Sequence, residues 1–80
     1  MNNMQNVTIY TTNHCTYCKT AKEWFTENRV RFREVNVEND RTAQEELFNK
    51  TGMMAVPIIE VGNKMVVGWD KSRVKEMLGM

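Results

Sequence analysis

The stretch Val7-Thr8-Ile9-Tyr10-Thr11-Thr12-Asn13-His14-Cys15-Thr16-Tyr17-Cys18 decides how the rest of the chain is read. Val7 to Tyr10 is β-rich and apolar at alternate positions, which predicts a short strand. Thr11 to His14 form a polar loop. From about Thr16 to Asn28 the spacing of Ala21, Trp24 and Phe25 marks one buried face of a helix. The only two cysteines therefore fall where a strand gives way to a helix. A thiol at a helix N-terminus faces unpaired backbone N–H groups and the positive end of the dipole, and both favour the thiolate. The thiolate is the form that attacks disulfides. A second thiol three residues on lies on the same helix face and can resolve the mixed disulfide that results. Cys15 is the expected nucleophile and Cys18, inside the first turn, the expected resolving thiol.

The remaining elements follow from periodicity and turn chemistry. Val30 to Val37 reads as a second strand with Phe32, Val35 and Val37 as buried candidates. Those three differ in parity, so the strand is expected to bury parts of both faces, as central strands do. Asn39 or Asp40 can cap a second helix, and Thr42-Ala43-Gln44-Glu45 fits a capping box one turn later. Ala43, Leu47 and Phe48 make its apolar stripe, and Gly52 is the expected left-handed residue at its end. Two β-rich runs, Pro57 to Val61 and Lys64 to Val67, flank Gly62-Asn63, a hairpin signal. Asp70 is placed to cap a last helix in which Val74, Met77 and Leu78 repeat at helical spacing. The order β-α-β-α-β-β-α predicts a right-handed βαβ unit followed by an antiparallel hairpin, in one mixed four-stranded sheet flanked by three helices.

Eighty residues predict a single domain over 1–80, near the lower limit for a self-sufficient core. A net charge of +1 with no run of like charge gives no nucleic-acid footprint. Met1 to Asn6 has neither the basic nor the apolar region of a signal peptide, and no stretch reaches the length of a membrane span. The expectation is a cytoplasmic, monomeric protein without nucleic-acid or membrane partners. In that reducing setting a close cysteine pair points to catalysis or metal binding rather than a structural staple. A permanently closed loop this short would remove little chain entropy. Structural zinc takes four ligands and His14 is the sole histidine, awkwardly adjacent to Cys15.

Four features in order make the chain resemble the glutaredoxin family, a small branch of the thioredoxin fold. They are the dithiol with Tyr17 inside it, the Val56-Pro57 step, the glycine-containing hairpin, and Gly68-Trp69-Asp70. The resemblance covers essentially the whole chain. It implies a thiol–disulfide oxidoreductase acting on protein or glutathione mixed disulfides, with glutathione or thioredoxin reductase as electron source and no tightly bound cofactor. It also implies a cis Pro57 beside the dithiol, with the Val56 backbone turned towards substrate as in strand addition. Thr12, Tyr17, Val56, Pro57, Gly68, Trp69 and Asp70 are the substrate-binding positions it carries over.

Departures from the family pattern are informative. Thr16 replaces a proline, and Thr12 stands where glutathione-using members carry lysine. Met53, Met54 and Ala55 replace more polar residues before the Val-Pro step, and Val67-Gly68 replaces a Gly-Gly pair. Gly68-Trp69 is similar to the ending of NrdH-type redoxins, which are recharged by thioredoxin reductase and serve ribonucleotide reductase. Some relatives assemble an iron–sulfur cluster between two chains, so a metal or cluster carrier is the third reading. Trp69 is expected either as a wall for a partner or as core under the last helix. Lys19 and Lys22 are candidates for adding positive field at the thiolate, within the limits of screening. Met53 and Met54 are candidates for an adaptable apolar lip.

Overall fold

The computed structural model describes residues 6–80. The reading of Met1 to Gln5 lies outside the described residues. Strand β1 (Val7–Thr11) is followed by helix α1 (Thr16–Glu27), strand β2 (Arg33–Asn36) and helix α2 (Arg41–Thr51). Strands β3 (Ile58–Val61) and β4 (Lys64–Val67) form the hairpin, and helix α3 (Lys71–Leu78) closes the order. The four strands make one sheet in the order β2-β1-β3-β4. β1 and β2 are parallel, while β3 runs antiparallel to both β1 and β4. This is the thioredoxin fold, with the mixed sheet and three helices that the element order predicts.

The sheet separates two apolar layers. Val7, Ile9, Ile59, Val61 and Val66 face Ala21 and Phe25 of α1 and Val74 of α3, with Trp24, Phe32, Trp69, Met77 and Leu78 packed around them. On the other face Tyr10 and Ile58 meet Val37 and Ala43 and Leu47 of α2. All five β1 residues are buried because β1 is interior to the sheet and covered on both sides. β2 corrects the sequence reading. The strand is shorter than the Val30–Val37 reading: Phe32 just before it joins one layer, Val35 and, just past its end, Val37 join the other, but β2 is an edge strand, and Arg33, Glu34 and Asn36 are exposed. Phe48 is a second correction: it is 52% exposed rather than part of the buried stripe. It sits one residue past Leu47, about 100° further round the helix, which carries it off the sheet-facing side.

The helix ends are set by local chemistry. Asp40 caps α2 by accepting from the Ala43 N–H at 3.1 Å, so the alternative box beginning at Thr42 is not used. Asp70 caps α3 in the same way through the Arg73 N–H. Gly62 opens the two-residue hairpin loop at φ 62, the sign of rotation that matches the twist of the flanking strands. Helix α1 ends differently. The Val30 N–H donates to the Phe25 carbonyl at 2.8 Å and the Arg29 N–H to the Thr26 carbonyl at 3.2 Å, the paired bonds of a Schellman motif. Arg29 fills the left-handed position at φ 57, where glycine is the unstrained residue. Arg29→Gly is therefore expected to stabilise the fold by about 0.5–1 kcal/mol, the left-handed penalty less glycine's greater unfolded-state freedom. A raised denaturant midpoint with an unchanged slope is the result that supports this; a lowered midpoint would show the Arg29 side chain to be worth more than the strain.

Candidate functional site

The site lies at one end of the sheet, and strand register puts it together. Tyr10 stands opposite Ile58, and Ile58 opposite Val67. One residue further along each strand the chain reaches Thr11, Pro57 and Gly68. The Gly68 N–H donates to the Pro57 carbonyl at 2.8 Å, and the Val37 N–H to the Thr11 carbonyl at 2.9 Å. The loop to the dithiol, the Val56-Pro57 step and the Gly68-Trp69-Asp70 turn thus share one edge. Gly68 has φ 89, so its lack of a side chain answers a backbone need rather than a steric one: a Cβ there would meet nothing within 4 Å.

Cys15 is the N-cap residue of α1, in extended backbone at φ −101 and ψ 107. Its Sγ accepts the Cys18 N–H at 3.1 Å, one of the helix's unpaired donors. No acidic residue stands in the first turn of α1 to oppose a negative charge at that sulfur. Cys15 and Cys18 are disulfide-bonded, with Cα atoms 5.2 Å apart, inside the range that a bridge spans. The two sulfurs differ in access: Cys15 is half-buried, whereas Cys18 is 1% exposed.

The other expected positions fall around this pair. Tyr17 projects from the first turn and is 66% exposed. The Val56-Pro57 bond is cis, as the resemblance implies, and Pro57 is fully buried. Among the described residues the N–H and C=O of Val56 have no backbone partner, while its side chain packs on the Tyr10 layer. Thr12 is half-buried just beyond β1, and Asp70 is exposed with its carboxylate committed to the α3 cap. Trp69 packs against the α1 side of the core while keeping an exposed part. Its ring centroid lies 5.8 Å from that of Trp24 and 6.0 Å from that of Phe25, and only part of the indole reaches solvent. Met53 and Met54 are 41% and 48% exposed. Among the described residues no group of three or more His, Cys, Asp or Glu side chains is arranged around a common metal position.

The sequence reading missed the polar bonds that hold the segments carrying these residues. Glu34 accepts from the Thr11 hydroxyl at 2.7 Å and from the Lys22 ammonium at 2.9 Å. Burial alone would push the Glu34 carboxyl up; the hydrogen bonds from Lys22 and Thr11, aided by the Lys22 charge, outweigh it and hold the group below its ordinary value. Lys22 is accordingly committed to a carboxylate rather than free to act on the thiolate. At the other end of the site the Lys50 ammonium donates to the buried Tyr10 hydroxyl at 3.1 Å and to Glu60 at 3.3 Å. The Tyr10 bond, opposed by burial and reinforced by Glu60, pushes Lys50 up to about 12. Thr51 then fixes the start of the next segment, its hydroxyl donating to the Met53 carbonyl and accepting the Met53 N–H. The signal available in sequence was Glu34 and Asn36 alternating with Val35 and Val37, polar residues in a strand otherwise read as buried.

A thioredoxin fold with a cysteine pair at the first turn of α1, level with a cis-proline, defines a class of small redox proteins. Comparison with known proteins narrows the class. The chain belongs to the glutaredoxin family, whose sequence model, described as Glutaredoxin, matches residues 7–66. Glutaredoxin 3 of Escherichia coli (strain K12) is 33% identical over 67 residues, covering 84% of this chain and 81% of that protein. The glutaredoxin-like protein NrdH of Lactococcus lactis subsp. cremoris is 28% identical over 71 residues, 89% of this chain and 97% of its own. Among solved structures, the glutaredoxin from Archaeoglobus fulgidus superposes with a TM-score of 0.80 at 25% identity, covering 92% of this chain and 86% of that one.

Proposed function

We propose that the protein is a dithiol thiol–disulfide oxidoreductase in which Cys15 attacks and Cys18 resolves. The observation that carries this reading is the unequal access of the two sulfurs, one at an open helix cap and the other 1% exposed. In the reduced protein the Cys15 thiolate attacks one sulfur of a substrate disulfide. A new S–S bond forms, the substrate bond breaks, and its other sulfur leaves as a thiolate that takes a proton. The Cys18 thiolate then attacks the Cys15 sulfur, expelling the second substrate sulfur as a thiol. The product is a reduced substrate and the Cys15–Cys18 disulfide. Two electrons and two protons from an external thiol or flavoprotein reductase restore the pair. The backbone of Val56, without a backbone partner among the described residues, suits it to align an extended substrate segment beside the sulfurs, in the manner of strand addition. Tyr17 borders the same opening.

The electron source divides two readings. A glutathione-fed glutaredoxin is the first. The second is an NrdH-type donor fed by thioredoxin reductase, and Thr12 in place of lysine together with the exposed Met53 and Met54 favours it. Thr12 offers no charge to a glutathione carboxylate, whereas two adaptable methionines offer apolar contact to a protein. The test is reduction of the oxidised protein by glutathione plus glutathione reductase against NADPH plus thioredoxin reductase. Fast turnover with glutathione supports the first reading and removes the second. Turnover restricted to thioredoxin reductase supports the second. No reduction of any disulfide with either system would remove the oxidoreductase itself.

A further inference from the structure

Two sets of hydrogen bonds tie the dithiol loop to β2, an edge strand that carries no reactive group. The first is centred on Glu34, whose Oε2 accepts from the Thr11 hydroxyl at 2.7 Å and from the Lys22 ammonium at 2.9 Å. Thr11 is fully buried and is the last strand residue before the loop; Lys22 belongs to the helix that follows it. One carboxylate therefore grips both sides of the segment that bears Cys15. The second set is a closed ring. The Asn13 N–H donates to Glu38 Oε1 at 2.8 Å, the Glu38 N–H to Asn36 Oδ1 at 2.9 Å, and Asn36 Nδ2 to Asn13 Oδ1 at 2.8 Å. Asn13 lies two residues before Cys15. The ring continues into α2, because Gln44 Nε2 donates to the carbonyls of Val37 and Glu38 at 2.6 and 3.2 Å.

We infer that Glu34, Asn36 and Glu38 are positioning residues that fix the direction of the Cys15 sulfur through the loop at Thr11–Asn13. The inference rests on the reading of Cys15 as the attacking thiol. Thiolate attack needs the sulfur aligned with the bond it breaks, and alignment held in advance is not lost again at each encounter. Beyond the buried Thr11 and its backbone bond to Val37, the polar loop has few apolar contacts to hold it, and ordering it costs backbone entropy that these side-chain bonds offset. A plainer account of polar residues on β2 is that charge on an edge strand deters strand-to-strand association. Deterrence asks only for charge facing solvent. It does not ask that a carboxylate take a buried hydroxyl, or that an amide close a ring on the loop beside the dithiol. The Glu34 set involves a charged acceptor and a buried donor, so it is the stronger of the two.

The test uses the reduced full-length protein and four variants: Glu34→Ala, Glu34→Gln, Asn36→Ala and Glu38→Gln. Two readouts are taken well below the melting temperature: kcat and KM on a small disulfide, and the pH profile of Cys15 alkylation by iodoacetamide. Asn36→Ala removes no charge and sits on the surface, so it isolates positioning from both electrostatics and folding. It is expected to lower kcat about five- to tenfold with little change in KM, as a modest misplacement does, and to move the alkylation midpoint to higher pH as the cap loosens. Glu34→Ala should do the same more strongly, while Glu34→Gln and Glu38→Gln, which keep an oxygen acceptor, should stay within about twofold of the parent. If Asn36→Ala and Glu34→Ala lower only the melting temperature, with kcat and alkylation profile unchanged, the network is structural and the inference is overturned. A midpoint moving to lower pH in Glu34→Ala, with Asn36→Ala unaffected, overturns it too, since removal of a negative charge alone would then explain the effect. Failure of the underlying reading looks different: Cys15→Ser would keep its turnover whatever the other variants do.

Discussion

Cys15→Ser is expected to reduce disulfide turnover on the order of 10^3-fold or more, while Cys18→Ser completes one exchange and stops with substrate covalently attached. The argument is one of access and ionisation. A serine hydroxyl at the α1 cap accepts the Cys18 N–H as readily as sulfur does, but it is not ionised near neutral pH and cannot form the S–S bond. The cap survives and the chemistry does not. Cys18 is 1% exposed, so in a Cys15→Ser protein the remaining thiol has no route to a protein disulfide. In Cys18→Ser the open cap still carries its thiolate, and the mixed disulfide that forms has no internal thiol to break it. Intact-mass measurement after incubation with a disulfide substrate should therefore find an adduct on Cys18→Ser and none on Cys15→Ser. Comparable adducts on both variants would assign no distinct roles to the two sulfurs. A metal or cluster carrier gives another pattern, in which both serine variants lose bound metal to the same degree and neither traps substrate.

Most of the fold was legible because its signals are local. The strand-to-helix step at Cys15, the caps at Asp40 and Asp70, and the Gly62-Asn63 hairpin are each decided by neighbours within a few residues. What was not legible depends on partners far along the chain. The mixed parity of Phe32, Val35 and Val37 is a fact about burial on two faces, and it does not say which strand has neighbours on both sides. β1 shows the converse, since Thr8 and Thr11 look like exposed positions and are buried because β1 is interior to a sheet covered on both faces. The candidate site divides in the same way. The cysteines and Pro57 stand out by residue type and spacing. Glu34, Asn36 and Glu38 acquire their role only when parallel pairing sets Thr11 level with Asn36. The packing of Trp69 depends on Trp24 and Phe25, residues more than forty positions away.

That aromatic group gives the second large expected effect. Phe25→Ala should destabilise the protein by about 3–5 kcal/mol, the range for emptying a buried phenylalanine site. The ring is fully buried, with centroids 5.4 Å from Phe32, 5.7 Å from Trp24 and 6.0 Å from Trp69. A chain of 80 residues has a total stability of about 4–12 kcal/mol at the usual value per residue, so this one change removes about a quarter of it or more. The surroundings limit relaxation, because the site is walled by β1 and β3 on one side and by two tryptophans on the other. Urea unfolding followed by tryptophan fluorescence reads both consequences. The midpoint falls, and the native-state emission changes as Trp24 and Trp69 lose the ring packed against both of them. The loss also reaches the functional end of the sheet. Trp69 follows Gly68, whose N–H holds the Pro57 carbonyl, so a loosened indole leaves the turn that flanks Val56-Pro57 without its anchor. Leu47→Ala, in the layer under α2, offers the comparison: it should cost about 2–5 kcal/mol by the same cavity argument while leaving tryptophan emission in the native state unchanged. A shift of under about 1 kcal/mol for Phe25→Ala would mean that Trp24 and Trp69 close over the vacated space, and that the aromatic group, rather than any single ring in it, is the unit that holds α1 and the Gly68 turn together.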